Sequence, residues 1–311
     1  MKALLAFALV VLVAPLLAPY GPGQQFSGYQ YAPPMRPHLI DDGRLRLPFA
    51  YPLRAVDPLE RRYVEERSRR TSWAEPSEPW FLLGSDALGR DVFSRLLAGA
   101  RYSLGLALLA TLAALGIGAL AGAIAAHAGG WIDGLVMRAA DFVLVLPGIY
   151  VVLALRGAMP VVLSTEQIFT ALSLVLSLIG WPIVARGVRG ILVVERQAEY
   201  AEAARALGAS SWRVIARHLL PATRGFLGVQ AMLLVPAFVM AEATVSFAGL
   251  GFAEPTPSWG TMLMDAAVPR IVADAPWLLA PAATVIATVA VVRAAIASDP
   301  QHGSVSSTQV L

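Results

Sequence analysis

The stretch Glu199-Tyr200-Ala201-Glu202-Ala203-Ala204-Arg205-Ala206-Leu207-Gly208-Ala209-Ser210-Ser211-Trp212, running on through Arg213 to Leu220 and Pro221, decides how the chain is organised. Glu199 to Leu207 consists of strong helix formers, Gly208 suits a left-handed C-terminal cap, and Ser210 or Ser211 can cap a following helix. Two short helices meeting at a glycine are therefore predicted. Small residues at Ala201, Ala203, Ala204 and Ala206 let another surface approach closely, and Glu202 and Arg205 supply charges for pairing. Taken alone, these residues fit a docking element for another protein and equally an amphipathic helix lying on a membrane.

The surroundings of this stretch are apolar. Of 311 residues, 57% are hydrophobic and 14% charged, with a mean hydropathy of +0.63, which excludes a soluble globular domain. Hydrocarbon about 30 Å thick takes roughly 20 apolar residues per helical crossing. Six runs are read as crossings: Ala3 to Ala18, Leu104 to Ala126, Leu135 to Leu155, Ile168 to Ala185, Phe226 to Leu250 and Pro276 to Ile296. The prolines within them (Pro147, Pro182, Pro236, Pro281) imply a packed bundle in which neighbouring helices satisfy freed backbone groups, and Pro147 should kink its span. Leu16, Leu17, Ala18 and Pro19 make a poor signal-peptidase site, so residues 1–18 are expected to remain as an uncleaved first helix.

Charge distribution orients the bundle. The loop 186–224 carries seven Arg (186, 189, 196, 205, 213, 217, 224) against three Glu (195, 199, 202), which places it in the cytoplasm by the positive-inside rule. Counting crossings puts both termini in the cytoplasm, leaves 301–311 as a cytoplasmic tail, and puts 19–83 outside. The latter segment is rich in Pro and Tyr and carries Glu60, Arg61, Arg62, Glu65, Glu66, Arg67, Arg69 and Arg70, expected to form a solvated helix with intrahelical ion pairs. Arg138 and Asp141, three apart on one helix face, are expected to pair with each other.

Several chemistries are excluded or unsupported. The net charge of +3 is dispersed among acids, so no nucleic-acid partner is expected. There is no cysteine, hence no disulfide or thiolate chemistry. Lys2 is the only lysine and follows only Met1, so a GxxxxGK[ST] phosphate loop is impossible. No GxSxG or HExxH occurs, and His38, His127, His218 and His302 lack spaced partners, which disfavours an intramembrane protease. No metal or cofactor site is expected. Composition alone also accommodates a secondary transporter, although such a protein would have no use for a helix pair jointed between Glu202 and Gly208 and usually shows paired inverted repeats.

Three motifs in order resemble the second-type membrane subunit of the dipeptide and oligopeptide branch of ABC importer permeases. Glu202-Ala203-Ala204, Gly208, and Arg217-His218-Leu219-Leu220-Pro221 resemble the EAA loop, with His218 where the general pattern is aliphatic. The segment from Leu83-Gly84-Ser85-Asp86 through Gly89-Arg90-Asp91 and Ser94-Arg95 to Arg101-Tyr102-Ser103-Leu104 resembles the lead-in to the permease core; here Asp86 to Leu97 reads as a glycine turn and an interfacial helix. Glu242-Ala243-Thr244-Val245-Ser246-Phe247, Gly249-Leu250-Gly251 and Pro255-Thr256-Pro257-Ser258-Trp259-Gly260 resemble the outer loop. The likeness covers about residues 83 to 265. The 25–80 segment is longer than usual for the family, and an Asn, Gly and Asp-rich tail is replaced except at Asp299-Pro300.

The resemblance implies an all-α, six-helix type I importer permease in a bacterial or archaeal cytoplasmic membrane, with a core over 84–300. It implies a non-catalytic subunit without cofactors. Its implied partners are membrane lipid, a second homologous permease, two ATP-binding subunits and an extracytoplasmic solute-binding protein. Glu199, Glu202, Ala203, Ala204, Arg205 and Gly208 would form the ATPase-coupling loop. Glu242, a carboxylate within a span, would either hydrogen-bond neighbouring helices or line the translocation pathway.

Overall fold

A computed structural model describes residues 2–41, 44–57, 62–72, 78–158, 160 and 163–297. The tail 301–311 and part of the Glu60–Arg70 cluster lie outside the described residues. The chain divides into two units, one built around Leu106–Ala241 and one comprising Leu9–Gly105 and Glu242–Val285.

Most described residues are helical. Four helical stretches among them are long and apolar enough to cross a membrane: Val92–Ala128 (α2), Thr165–Glu195 (α5), Ser211–Phe247 and Pro276–Ala294. The third joins a short helix Ser211–Val214 (α7), a π turn and a 3-10 turn to Arg224–Phe247 (α8); the fourth joins a 3-10 turn to Ala280–Ala297 (α11). The other two expected crossings are not single long helices. The first apolar run forms Lys2–Val13 (α1) and a 3-10 turn Ala14–Leu17. The run around 135–155 is broken into Gly130–Val145 (α3) and Gly148–Ala158 (α4). Pro147 does more than kink it. Steric conflict with the proline ring pushes Leu146 to the extended backbone at φ −73°, ψ 124°, and the helix restarts after it.

In the first unit, glycine brings backbones together. A Cβ on Gly118 would lie 2.5 Å from the Cβ of Val184, and one on Gly122 would lie 2.5 Å from the carbonyl oxygen of Ala185, so α2 and α5 meet along a small-residue stripe. Around it Ala123, Ala126, Val184, Val188 and Leu192 form a buried core with Val214, Ile215 and Leu219. Asp133 accepts from Arg189 at 2.7 Å, and Asp141 accepts from Arg186. The expected Arg138–Asp141 pair is thus replaced by interhelical pairs. Arg186 and Arg189 belong to α5 and reach sideways to α3, so the loop proper starts after Glu195.

In the second unit the all-α expectation fails. His38–Asp41 (β1) pairs antiparallel with Arg44–Phe49 (β2), and Leu53–Asp57 (β3) with Arg62–Glu65 (β4). Part of the charge cluster expected to be helical is therefore strand. Intrahelical ion pairs add only a few tenths of a kcal/mol each, whereas Tyr63 and Val64 are strand formers set opposite Ala55 and Arg54, and the Tyr63 hydroxyl donates to the Gln30 carbonyl at 2.7 Å. Ala32, Met35, Ala50, Leu53, Trp80 and Phe81 form the small core beneath these hairpins. Short helices Trp259–Asp265 (α9) and Pro269–Asp274 (α10) complete the unit, Ser258 capping α9 through the Thr261 N–H at 3.1 Å.

Candidate functional site

The predicted helix pair forms. Glu199–Ala206 (α6) ends at Leu207, Gly208 takes φ 85°, and the Ser210 hydroxyl accepts from the Arg213 N–H to cap α7. Ala201 is fully buried and Ala204 half-buried against the first unit's core, so this edge holds the element in place. The opposite edge is exposed: Glu199, Glu202, Ala203, Arg205 and Gly208. The Glu199 and Glu202 carboxylates make no hydrogen bond or ion pair among the described residues, while Arg205 donates to the Arg196 carbonyl. The base is fixed by Arg196, which donates to the Ala126 carbonyl at 3.0 Å, and by His127 stacked edge-on to Trp212. Of the six residues assigned to this surface, Ala204 instead packs inward, and Arg205 is partly committed to its own backbone.

Sequence reasoning missed the apolar part of the surface. Leu207 is 90% exposed, and Tyr200 and Trp212 are about half exposed around it. Three large apolar side chains left in the open beside two unpaired carboxylates form a surface suited to burial by another protein. The available signal was Leu207 itself, a leucine immediately before a left-handed glycine, where the terminating helix has no further turn to cover it.

The lead-in motif folds in the second unit as a buried charge network. Gly84 and Gly89 take φ 72° and 71°, and a Cβ on Gly89 would lie 2.3 Å from the Phe26 carbonyl oxygen, so the turn tolerates no side chain there. Asp86 binds the Arg90 guanidinium at 2.7 Å and lies 3.5 Å from Arg95. Both arginines grip Glu254, Arg90 at 2.5 Å and Arg95 at 2.7 Å. Burial pushes the Glu254 carboxyl up, but Arg90 and Arg95 together hold it below the usual glutamate range. Arg95 is 1% exposed and is the largest fully buried side chain among the described residues. Asp91 caps α2: one of its oxygens accepts from the Ser94 N–H at 2.8 Å and the Ser94 hydroxyl at 2.6 Å, and the other is buried without a partner. Burial pushes this carboxyl up to about 6 despite those bonds. The predicted interfacial helix is thus the first turns of α2 itself, and its arginines are interior.

Glu242 is 1% exposed. It accepts from the Ser246 hydroxyl at 2.7 Å, with the Ser103 and Ser258 side chains beside it; the Ser103 hydroxyl in turn accepts from the Trp259 N–H at 3.0 Å. In this arrangement the carboxyl ties α8 to the starts of α2 and α9.

Residues 114–299 match the family described as binding-protein-dependent transport system inner membrane component. This chain belongs to that family. Among family relatives, the chain is 39% identical over 203 residues to the dipeptide transport system permease protein DppC of Bacillus subtilis, covering 65% of this chain and 61% of that one. It is 35% identical over 191 residues to the glutathione transport system permease protein GsiD of Pectobacterium atrosepticum (61% and 62% covered), and 36% identical over 186 residues to the oligopeptide transport system permease protein OppC of Bacillus subtilis (60% and 58%). The chain thus spans about three fifths of the length of the curated relatives it matches. A solved structure of the MetNI methionine ABC transporter, inward facing, shares the fold with a TM-score of 0.50 at 17% identity, over 64% of this chain and 92% of that one. The family match takes in α3 to α11, and with them α6, Gly208 and α7.

Proposed function

We propose that this chain is a membrane-spanning subunit of an ATP-driven importer for dipeptides, oligopeptides or a related small solute. The names of its relatives favour that solute class, and the absence of a phosphate loop assigns ATP chemistry to separate subunits. The observation that carries the reading is the element Glu199–Gly208, anchored on one edge by Ala201 and offering unpaired Glu199 and Glu202 beside Leu207 on the other. A helix held this way acts as a rigid lever. Two ATP-binding subunits closing on ATP would move it and switch the spans between inward and outward openings. The other half of the pathway would come from a second homologous permease, and solute from an extracytoplasmic binding protein.

In this reading the chain crosses a bacterial or archaeal cytoplasmic membrane six times. The α1 region and the broken pair α3–α4 supply the two crossings that are not single long helices, 19–83 lies outside, and both termini and the loop that follows α5 lie inside. Glu242 stands as a brace in the present arrangement and would line the pathway only if the α8–α9 junction opens. Reconstitution of the full complex in proteoliposomes with labelled dialanine tests the whole: uptake should require ATP and every subunit. Glu202→Lys should abolish uptake without displacing the chain from the membrane, and undiminished uptake would refute the lever.

A further inference from the structure

A face of α3 carries two features that hydrocarbon does not accept. One is charge. Arg138 is exposed and has no ion-pair partner among the described residues, and one turn on, Asp141 and its partner Arg186 are each about half exposed. With Asp133–Arg189 and Asp141–Arg186 each neutral, Arg138 leaves this wall with one uncompensated positive charge. Ionisable groups in a spanning segment face the bundle interior or water. The other feature is backbone. At 1.5 Å per residue the break at Leu146–Pro147 lies about 24 Å along from Gly130, and Val145 just before it is 80% exposed. Non-helical backbone at membrane depth is tolerated only where protein buries it or where it lines a water-filled cavity. Leu146 is 38% exposed and Val145 80%, so the described residues of this unit leave the break largely open; its flank packs on Ile179 of α5, which would meet a Cβ on Gly148 at 3.4 Å.

We propose that the face of α3 bearing Arg138, Asp141 and the Leu146–Pro147 break is this subunit's wall of the aqueous translocation pathway, with Arg138 as the free cation that meets the carboxylate of a passing solute. The inference rests on the importer reading above, and it assigns the pathway to α3 rather than to Glu242. An unpaired guanidinium favours a wet wall over a dry subunit contact, because burying it without a counterion costs several kcal/mol.

The chain has no cysteine, so single replacements report without background. In leaky membrane vesicles holding the assembled complex, Val145→Cys and Leu146→Cys would be treated with water-soluble thiosulfonate reagents and compared with Leu112→Cys, which is exposed on the unbroken apolar helix α2. Vanadate-sensitive ATP hydrolysis would first establish assembly of each variant, and either assembled variant of the break is decisive. Both break positions should react at least tenfold faster than Leu112→Cys, at rates that change when vanadate traps the nucleotide state. The rate ratio of an anionic to a cationic reagent at Val145→Cys should fall roughly threefold when Arg138→Gln is added. Break positions as inert as Leu112→Cys would overturn the proposal. So would reactivity in the isolated chain that is lost in the complex in every nucleotide state, since a second subunit would then cover this face. An unchanged reagent ratio would remove Arg138 from the pathway. If the break is reactive but the wild-type complex shows no ATP-driven uptake, the importer reading fails and the wet wall stands; if uptake is normal and the break inert, the reverse holds.

Discussion

The segments Glu199–Ser211 and Gly84–Arg95 are written in the same alphabet of glutamate or aspartate, arginine, a left-handed glycine and a helix-capping side chain, and they use it in opposite ways. In the first, Glu199 and Glu202 stand unpaired in the open, and a Cβ on Gly208 would touch nothing within 4 Å. In the second, Arg90 and Arg95 are interior, both bind Glu254, and the glycines are hemmed in by the backbone of Ala32 and Phe26. Charges that are satisfied within the chain specify its structure, and charges that are left unsatisfied at a surface are free to specify a partner. The contrast divides the recognisable motifs of this family member into a brace and the element proposed above as a lever.

The comparison breaks first at Arg95. Arg95→Ala leaves part of the Asp86–Glu254 network without its cation and should cost about 3–5 kcal/mol, read as a large fall in thermal midpoint of the purified chain, while Glu202→Ala should stay within about 0.5 kcal/mol of wild type. Equal losses would mean that the two regions are not different in kind. A second effect comes from Asp91. Its folded pKa, about 6, lies above the ordinary aspartate value, so the folded state holds this proton more tightly, and stability from this group is lost as pH rises from about 4 to about 6, by roughly 3 kcal/mol. Asp91→Asn keeps a capping acceptor and should flatten that decline; an unchanged pH profile would show that the carboxyl is not the titrating group. Glu254 runs the other way, its contribution fading only as pH falls below the ordinary glutamate range.

The glycines sharpen the contrast further. Gly208→Ala meets no atom and should lose only the backbone cost of the left-handed conformation, about 1–2 kcal/mol. Gly89→Ala adds a clash with the Phe26 carbonyl and should lose measurably more in the same thermal assay. The smallest effect on stability is expected from Glu202→Lys, within about 0.5 kcal/mol. That variant should nevertheless lose ATP-driven uptake, and retention of both stability and uptake would make the exposed edge a mere surface.

Much of this was legible in the sequence. Helix formers before Gly208 and serines after it fix the α6–α7 pair by local rules, and Pro147 marks the point where a span is interrupted, because a missing N–H and a steric restriction on Leu146 need no tertiary context. The hairpins were not legible. The charge cluster around Arg62 has a helical look when only intrahelical pairs are weighed, and the pairing of Arg54 with Val64 involves residues whose proximity no local pattern states. The exposure of Tyr200 and Trp212 beside Leu207 was equally hidden, since burial is a property of what lies opposite.

By itself the sequence determined that the chain is a membrane protein, where its apolar runs lie, that it lacks a phosphate loop, and that a glycine-jointed helix pair follows α5. These depend on composition and on interactions reaching a few residues along the chain. Tertiary structure alone decided which charges are partners: Asp141 with Arg186 rather than Arg138, and Arg90 and Arg95 with Glu254, more than 150 residues away in the chain. Sequence spacing ranks Arg138 first for Asp141 because they share a helix face. The fold overrules it because α5 brings Arg186 alongside, and the carboxylate is claimed by the guanidinium whose position on the neighbouring helix lets it reach.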